Sequence, residues 1–421
     1  MTLPGFGKGQ AYYGLGVLSV INLLNYLDRY ILAGVMEKVQ KQFDLTDTEG
    51  GTLATTFMLV YMCASPLGGY LGDRMPRRWL IAGSVMLWSL ATIGSGLATS
   101  FAMLVVMRGL TGIGEAGYGT IAPSFISDLF RKERRSQMLS IFYTAMPLGA
   151  AAGFIIGGWV GERFSWQAAF FVGGAPGIAL AILALFLPQP PRGGMDEGPT
   201  IAPVAIGAGL AALMGNARFW YTTAGLTLMT FGIGGLSNWM PKFLSSERGF
   251  SGGEAGLYLG ATTVLGGLLG TIAGGLLGDR LDRKRPGGGV TLSAFGLVIA
   301  APLMFLCVLI DGRVALALGL FAAQFFIFLN NGPLNAAIVN SVPPHLRAFA
   351  FGISTLTLHL LGDAASPMVI GWISDHSSLG TAIMINAIPV LLGGLVLFYG
   401  LKHFVRPEAA ASPPPPEAAA R

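Results

Sequence analysis

The chain has 421 residues, of which 53% are hydrophobic and 11% are charged, and its formal net charge is +5. A soluble domain carries about 25% charged residues, so this chain has too few to cover a surface that faces water. Together with a mean hydropathy of +0.63, this excludes an ordinary soluble enzyme and predicts an all-α membrane protein.

Apolar runs of about 20 residues, the length that crosses a bilayer as a helix, recur along the whole chain. The first run shows no small-residue cleavage pattern, so we expect it to be a span and not a signal peptide. We predict twelve spans, near 12–35, 50–72, 79–98, 101–128, 136–161, 166–188, 218–241, 252–278, 290–310, 314–340, 348–374 and 379–404.

Composition divides these spans into two sets of six. A polar, Pro/Gly-rich stretch separates the sets, and a Pro/Ala-rich stretch follows the last span. We predict a six-helix bundle at 1–188, a cytoplasmic linker at 189–217, a second six-helix bundle at 218–405 and a disordered cytoplasmic tail at 406–421.

The basic residues are distributed unequally between the two ends of the spans. Eighteen of the 26 Lys and Arg residues fall on the side that holds both termini, six fall on the other side, and two lie within spans. By the positive-inside rule, both termini are expected in the cytoplasm. Short loops favour the plasma membrane of a bacterial-type cell.

Two sequence echoes relate the first half of the chain to the second. Gly69-Tyr70-Leu71-Gly72-Asp73-Arg74 reappears as Gly275-Leu276-Leu277-Gly278-Asp279-Arg280, and Gly157-Gly158-Trp159-Val160-Gly161-Glu162 reappears as Ile370-Gly371-Trp372-Ile373-Ser374-Asp375. Because the echoes keep the same order, they indicate parallel repeats related by a pseudo-two-fold axis along the membrane normal.

These motifs resemble those of a known family. The two Gly-x-Leu-Gly-Asp-Arg loops look like motif A of the major facilitator superfamily, with Pro76 where that family usually has glycine. Asn25-Tyr26-Leu27-Asp28-Arg29-Tyr30 is similar to the signature of spinster-type lipid transporters, and 112–123 and 359–367 resemble the same family. The resemblance covers nearly the whole chain. It implies a bacterial-like homologue with two parallel six-helix bundles and proton-linked movement of lysolipids or sphingoid phosphates.

Ionisable residues inside spans are the strongest functional signal, because each costs about 2.5–3.5 kcal/mol at a helix centre. Spans one and four carry four of them: Asp28, Arg29, Arg108 and Glu115. Arg29 shares a helical face with Asn22 and Asn25, and Glu115 shares one with Arg108 and Thr111, at equal spacing. Counting the helical rise from the span ends places the two arrays at matching depth, with Asp28 towards Arg108.

This arrangement predicts a proton-coupling and headgroup site. The proton affinity of a carboxylate in a dry cavity changes when water or a guanidinium approaches. We therefore expect Asp28 and Glu115 to exchange protons, and Arg29 or Arg108 to bind an anionic headgroup bidentately. The alternative is a buried ion-pair network that only fixes helix packing.

Other polar residues complete the predicted site. The expected cavity lining is Asn22, Asn25, Thr111, Asn238, Asn331 and Asn335. His359 and Asp363, four residues apart on span eleven, form either an auxiliary polar site or a packing hydrogen bond. Asp73, Arg74, Asp279 and Arg280 lie at cytoplasmic span ends, where the resemblance to motif A implies a gate.

The function predicted from these residues is alternating-access transport of amphipathic, lipid-like anions by a monomer, driven by a proton gradient. The alternatives are a proton-coupled exporter of drugs or other small solutes, and an uncoupled lipid channel or scramblase. The sequence has no phosphate-binding loop, no metal-ligand spacing and no nucleophile–base set, so we expect no cofactor, no metal, no nucleic acid and no enzymatic activity. The partners are the lipid-like substrate and the bilayer.

Overall fold

The structure is a computed structural model that describes residues 7–130, 132–191, 206–343 and 346–405, without a few side chains in these ranges, Asp73 among them. The described residues form helices joined by short turns and include no strand. The first set of helices is α1 (Lys8–Phe43), α2 (Asp47–Arg74), α3 (Arg77–Gly96), α4 (Phe101–Leu129), α5 (Lys132–Arg163) and α6 (Trp166–Ala184).

The short helix α7 (Ile206–Met214) precedes a second set. This second set is α8 (Ala217–Glu247), α9 (Gly252–Lys284), α10 (Gly288–Leu309), α11 (Arg313–Phe328), α12 (Asn331–Asn340), α13 (Arg347–Leu358), a π-helical turn (His359–Asp363), α14 (Ser366–His376), α15 (Leu379–Ile385) and α16 (Ala387–Val405). The predicted linker thus contains α7, while 192–205 and the predicted tail lie outside the described residues.

Nine stretches of the described helices are long and apolar enough to cross a membrane. The other three predicted spans coincide with α1, α4 and α8, which have 36, 29 and 31 residues. These helices are long enough to cross a bilayer, but α1 and α4 carry the buried charges and α8 carries Asn238 among several threonines. Polar residues lower their hydropathy, and the count of twelve spans stays a prediction.

Three of the predicted continuous spans are interrupted, and in the twelfth the interruption lies between α15 and α16 at Asn386. The tenth is broken between α11 and α12 at Leu329 and Asn330, where the Asn330 side chain donates to the backbone carbonyls of Phe326 and Ile327, both at 2.9 Å. The eleventh passes through the π-helical turn before α14 begins. Such local rearrangements of helix hydrogen bonding are frequent at functional positions.

Helices of the first set pack mainly on one another. α1 packs on α5 and α6, α2 packs on α4, and α3 packs on α4 and α6. In the second set, α9 packs on α11, α10 packs on α11 and α16, and α8 packs on α16. The two sets meet mainly where α5 contacts α9 and where α2 contacts α14.

Glycines bring α1 and α5 into backbone contact. A Cβ atom added at Gly149, Gly153 or Gly157 would overlap the backbone carbonyl oxygens of Leu23, Leu27 and Ile31, respectively. Small residues at every fourth position allow this approach in membrane helices. The four-residue spacing of these glycines on α5 therefore accounts for its close packing on α1.

The two sets are joined at one end. We call the end where α1 begins the proximal end and the end where it finishes the distal end. Hydrogen bonds between the sets cluster in the distal part. They include the Asp47–Lys242 ion pair, the bond from Ser245 to Glu37, and the bond that the Thr55 hydroxyl donates to the Ala364 carbonyl at 2.7 Å. The described structure is therefore closed at the distal end.

Candidate functional site

An ion pair joins α1 to α4 in the interior of the first set. Arg29 Nε lies 2.7 Å from Glu115 Oε2, and the exposed fractions of these side chains are 14% and 0%. The prediction that the polar faces of spans one and four meet is confirmed by this contact. Because the pair is buried, removing either partner leaves an uncompensated charge.

Aromatic rings surround the Arg29 guanidinium. Its Cζ lies 4.8 Å from the Tyr26 ring centroid, 5.2 Å from that of Phe57 and 4.9 Å from that of Tyr61. Rings at this distance attract a cation through their quadrupole. One carboxylate and three rings therefore hold Arg29 in place.

Asp28 faces a different part of the bundle. It is fully buried, its Oδ2 accepts a hydrogen bond from the Thr92 hydroxyl at 3.3 Å, and its Oδ1 lies 2.8 Å from the position that a Cβ on Gly173 would take. Neighbouring residues point about 100° apart around a helix, so Asp28 faces α3 and α6 while Arg29 faces α4. No ion pair joins Asp28 to Arg108 among the described residues, and the Asp28–Arg108 register stays a prediction.

Arg108 is the second buried guanidinium. It is 3% exposed, its Cζ lies 4.8 Å from the Phe57 ring centroid, and its Nε has no hydrogen-bond partner among the described residues. A buried guanidinium without an anion is costly. Of the two arginines, Arg108 therefore has donor capacity left for an incoming anion.

The polar residues beside these charges are buried as well. Asn22 donates to the Phe142 carbonyl of α5 at 3.1 Å, and Thr111 donates to the Met107 carbonyl of its own helix at 2.9 Å. Asn25 is 3% exposed, and its Nδ2 lacks a partner among the described groups. Asn22 and Thr111 thus make packing bonds and are not part of the cavity lining for which they were predicted.

A cavity of about 560 Å³ lies between the two sets, bounded by α1, α5, α8, α9, α11 and α12. Its wall is mostly apolar, with Phe154, Leu236, Ile327 and Phe328 among the lining residues. Its polar groups are Tyr26, Tyr30, Tyr143, Thr144, Ser237, Thr263, Thr271, Gln324 and Asn331. The volume is in the range of small-molecule sites.

Of the six residues predicted to line the cavity, Asn331 does so. Asn238 donates to the Gly234 carbonyl at 2.8 Å and Asn335 donates to the Asn331 carbonyl at 2.7 Å, so these two amides bond within their own helical segments. An isolated amide on a membrane helix readily bonds the carbonyl one turn back, and this competes with a role in the cavity.

Tyr26 and Tyr30 were missed as cavity residues. They are four residues apart on α1, and both line the cavity. Because the Tyr26 ring also stacks on Arg29 at 4.8 Å, the buried charges lie one side chain away from the cavity. The spacing of the two tyrosines on either side of Asp28 and Arg29 was the signal that could have identified them.

His359 and Asp363 are brought together in the π-helical turn. His359 Nδ1 lies 2.9 Å from Asp363 Oδ2, and the exposed fractions of the two side chains are 30% and 22%. The contact between them is confirmed; whether they act as an auxiliary site stays a prediction.

The predicted gate residues lie at the proximal end. Arg74 is exposed and stacks on Tyr70, with its Cζ 3.6 Å from the ring centroid, and Asp279 and Arg280 are exposed at the end of α9. The side chain of Asp73 lies outside the described structure. Nearby, Arg77 Nη1 bonds Asp128 Oδ2 at 2.6 Å and ties the start of α3 to the end of α4.

No group of three or more His, Cys, Asp and Glu side chains that could hold a metal ion occurs in the described part of the chain. The site and its cavity present carboxylates, guanidinium groups, amides and tyrosine hydroxyls. These groups bind anions and protons.

Known proteins resemble this chain in sequence and in fold. The profile of the family described as Major Facilitator Superfamily matches residues 18–367. The chain is 38% identical to protein spinster homolog 1 of Bos taurus, over 89% of this chain and 75% of that protein. It is 33% identical to the sphingosine-1-phosphate transporter SPNS2 of Xenopus tropicalis, over 92% of this chain and 81% of that protein.

Solved structures of transporters have a similar fold. A bacterial homologue of the human lysosomal transporter spinster, in an inward-facing and unoccupied conformation, has a TM-score of 0.86 at 23% identity and covers 95% of this chain and 98% of its own. The nucleoside transporter NupG has a TM-score of 0.72 at 15% identity, over 93% and 99% of the two chains. This chain belongs to the spinster family of the major facilitator superfamily.

Proposed function

We propose that this chain transports amphipathic, lipid-like anions by alternating access and that protons drive the transport. The observation that carries the proposal is a mostly apolar cavity next to a buried group of two carboxylates and two guanidinium groups. An amphiphile has the same division, since its tail is apolar and its head is charged.

The cavity wall matches an acyl chain. The second set contributes Ile233, Leu236, Leu259, Leu268 and Ile327 to the lining. Burying apolar surface is worth about 25 cal/mol per Å², so a tail that fills this space contributes most of the binding free energy. The amides of Gln324 and Asn331 leave some of the wall polar.

Arg108 is the proposed headgroup ligand. Arg29 already donates to Glu115, whereas the buried Arg108 has neither an ion pair nor a hydrogen bond to a described residue. A guanidinium binds phosphate bidentately. An anionic headgroup that displaces the Phe57 ring from Arg108 would therefore complete the pairing of the site.

Glu115 and Asp28 are the proposed proton carriers. Protonation of Glu115 removes the charge that holds Arg29, and the freed guanidinium then attracts the substrate anion or Asp28. Proton binding and anion binding would thus change the same ion-pair pattern. Proton-coupled transport requires that binding of the proton and binding of the anion affect each other, and a shared set of ion-pair contacts provides this link.

The proposed orientation puts the proximal end in the cytoplasm, because that end carries eighteen of the 26 basic residues. The proposed organisation is twelve spans in two six-helix halves, at 1–188 and 218–405, in a monomer of the plasma membrane. The separate packing of the two helix sets supports this division.

The proposal is tested with the full chain reconstituted in liposomes that contain a labelled lysophosphatidate-type lipid. We expect lipid accumulation against its gradient when a pH gradient is imposed, and loss of accumulation in Glu115→Gln. Glu49→Gln, a helix-capping carboxylate of α2, is the matched control and should transport normally. Equal lipid movement with and without the pH gradient would identify a channel or scramblase. Movement of a labelled drug under the pH gradient, with no lipid movement, would identify a drug exporter.

A further inference from the structure

The distal contact between the two sets consists of two matching pairs of helix ends. In one pair the end of α5 meets the start of α9, and in the other the end of α14 meets the start of α2. The ends of α5 and α14 carry the second sequence echo, 157–162 and 370–375. The starts of α2 and α9 are also related, because Thr46-x-x-Glu49 and Ser251-x-x-Glu254 are both capping boxes.

In each pair an acidic residue of one set caps a helix of the other set. Glu162 Oε2 accepts from the backbone N–H of Gly253 at 2.7 Å. Asp375 accepts from the backbone N–H groups of Asp47 at 2.7 Å and Thr48 at 2.8 Å. Gly253 and Thr48 are both the second residue of their helix, where N–H groups lack intrahelical partners and the helix dipole favours negative charge.

Neither helix needs the foreign carboxylate in order to begin. The Thr46 and Ser251 hydroxyls accept from the backbone N–H groups of Glu49 and Glu254, and those glutamates bond back to the cap residues. Each start is thus capped from its own set, and the carboxylates of Glu162 and Asp375 occupy only the remaining donors. Their contribution is to join the sets.

Glycines let the same helix ends touch through their backbones. A Cβ on Gly158 would overlap the Gly252 carbonyl oxygen, and a Cβ on Gly371 would overlap that of Asp47. These two glycines are equivalent in the echo, and so are the acids, which follow them by four residues. The contact is therefore built twice from the same parts.

The two pairs differ in strength. The Asp47 carboxylate also forms an ion pair with Lys242 and accepts from Gln40 Nε2 at 2.8 Å and from the Ser374 hydroxyl at 2.5 Å. In addition, the Thr48 hydroxyl donates to Asp375 at 2.5 Å. Glu162 has one described hydrogen bond across the contact. The α2–α14 pair is thus the stronger one.

We propose that Glu162 and Asp375 are twin latches that hold the distal end closed by capping a helix of the opposite set, and that both must release before the distal end opens. The proposal rests on the alternating access proposed above. It goes beyond the substrate site, because it assigns the conformational balance to residues that contact no part of the cavity.

The test measures distances between the sets in the full chain in lipid nanodiscs. Spin labels are attached to cysteines at the exposed positions Lys41 and Ser377, after Cys63 and Cys307 are replaced by alanine. We expect Asp375→Asn to raise the ratio of distal-open to distal-closed molecules about tenfold, the effect of weakening hydrogen bonds to a charged group. Glu162→Gln should give a smaller shift, and the double variant should give their product.

The matched controls are Glu49→Gln and Glu254→Gln, which remove a carboxylate from the same two helix starts but from within the same set. They should leave the distance distribution unchanged. An unchanged distribution in the double latch variant, or an equal shift in the controls, would overturn the proposal. The distances are read without any transport, so a chain that moves no lipid but shows the latch shift would count against the proposed function and not against the latches.

Glycine variants give a second measurement. Gly158→Ala and Gly371→Ala should also favour the distal-open state, because the added methyl cannot be accommodated in the closed contact. Gly83→Ala in α3 and Gly352→Ala in α13, where nothing lies within 4 Å of the added atom, control for the loss of a helical glycine in each set. A closed distribution in both latch-glycine variants would show that the backbone contact does not limit opening.

Discussion

Arg29 and Arg108 lie on neighbouring helices and have different surroundings. Arg29 has a carboxylate at 2.7 Å, while Arg108 has the face of Phe57 and no ion pair with a described carboxylate. A side chain with its charge already paired stabilises the fold, and one with its charge unpaired is available to a ligand. The two arginines should therefore give different mutational phenotypes.

Arg29→Gln should reduce stability, because Glu115 would be left as an uncompensated buried charge, at a cost of about 3–5 kcal/mol. The double variant Arg29→Gln/Glu115→Gln should recover most of the loss, since two neutral amides can bond each other. Thermal unfolding of the purified protein in detergent measures both. A double variant less stable than Arg29→Gln alone would contradict the pairing.

Arg108→Gln should weaken binding of an anionic lysolipid about 10- to 100-fold, the range for losing a charged hydrogen bond. Thermal stability should change little, and binding of an uncharged monoacylglycerol should be unaffected. Arg163→Gln, an exposed arginine at the distal end, is the charge-matched control. Equal losses for the charged and uncharged lipids would exclude Arg108 as the headgroup ligand.

At the scale of single residues, the sequence indicated which groups lie inside the membrane but not every direction in which they point. Membrane burial of Asp28, Arg29, Arg108 and Glu115 follows from their position within apolar runs. The Arg29–Glu115 contact follows from two equal spacings on adjacent helices. The direction of Asp28 depends on a rotation of one residue, which depth counting does not specify; the positions of Thr92 and Gly173 decide it.

The helices themselves were largely predictable, because length and apolar composition determine spans in a bilayer. Their interruptions were not. The α11–α12 break and the π-helical turn do not change the hydropathy of the residues in their spans, so a hydropathy pattern cannot locate them. They are recognised from the hydrogen bonds of the backbone carbonyls, which the structure shows. Asn330 is the residue that makes the first break possible, since its amide replaces helix hydrogen bonds at two carbonyls.

Asn330→Leu should therefore destabilise the protein by about 1–3 kcal/mol, the cost of unsatisfied buried polar groups. Asn335→Leu is the control, because its amide bonds a single carbonyl one turn back in a regular helix. Thermal unfolding of both variants is the measurement. If Asn335→Leu proved the more damaging, the role assigned to Asn330 would be incorrect.

At the scale of the molecule, the two helix sets are alike at their distal ends and differ in their interiors. The distal contacts occur twice, in α5–α9 and α2–α14, but the buried charges belong to the first set and most of the apolar cavity wall belongs to the second. Duplication followed by divergence of the interior is consistent with a substrate that has two chemically different parts. Which set carries the charges was readable from the sequence, whereas the shape of the cavity was not.

The orientation of the whole molecule is testable with a membrane-impermeant maleimide. In the background without native cysteines, Ser377→Cys at the distal end should react in intact cells. Lys8→Cys at the proximal end should react only after permeabilisation, because the proximal end carries most of the basic residues. The reverse pattern would place the termini outside.

The glycine contact between α1 and α5 has a mechanical consequence. Along these helices the backbones touch at Gly149, Gly153 and Gly157, so α1 and α5 are expected to move as one rigid body. The distal end of this body carries the Glu162 latch, and its middle carries Arg29, Tyr26 and Tyr30. A tilt of the body that breaks the distal contact must therefore also displace Arg29 and the two tyrosines relative to the second helix set.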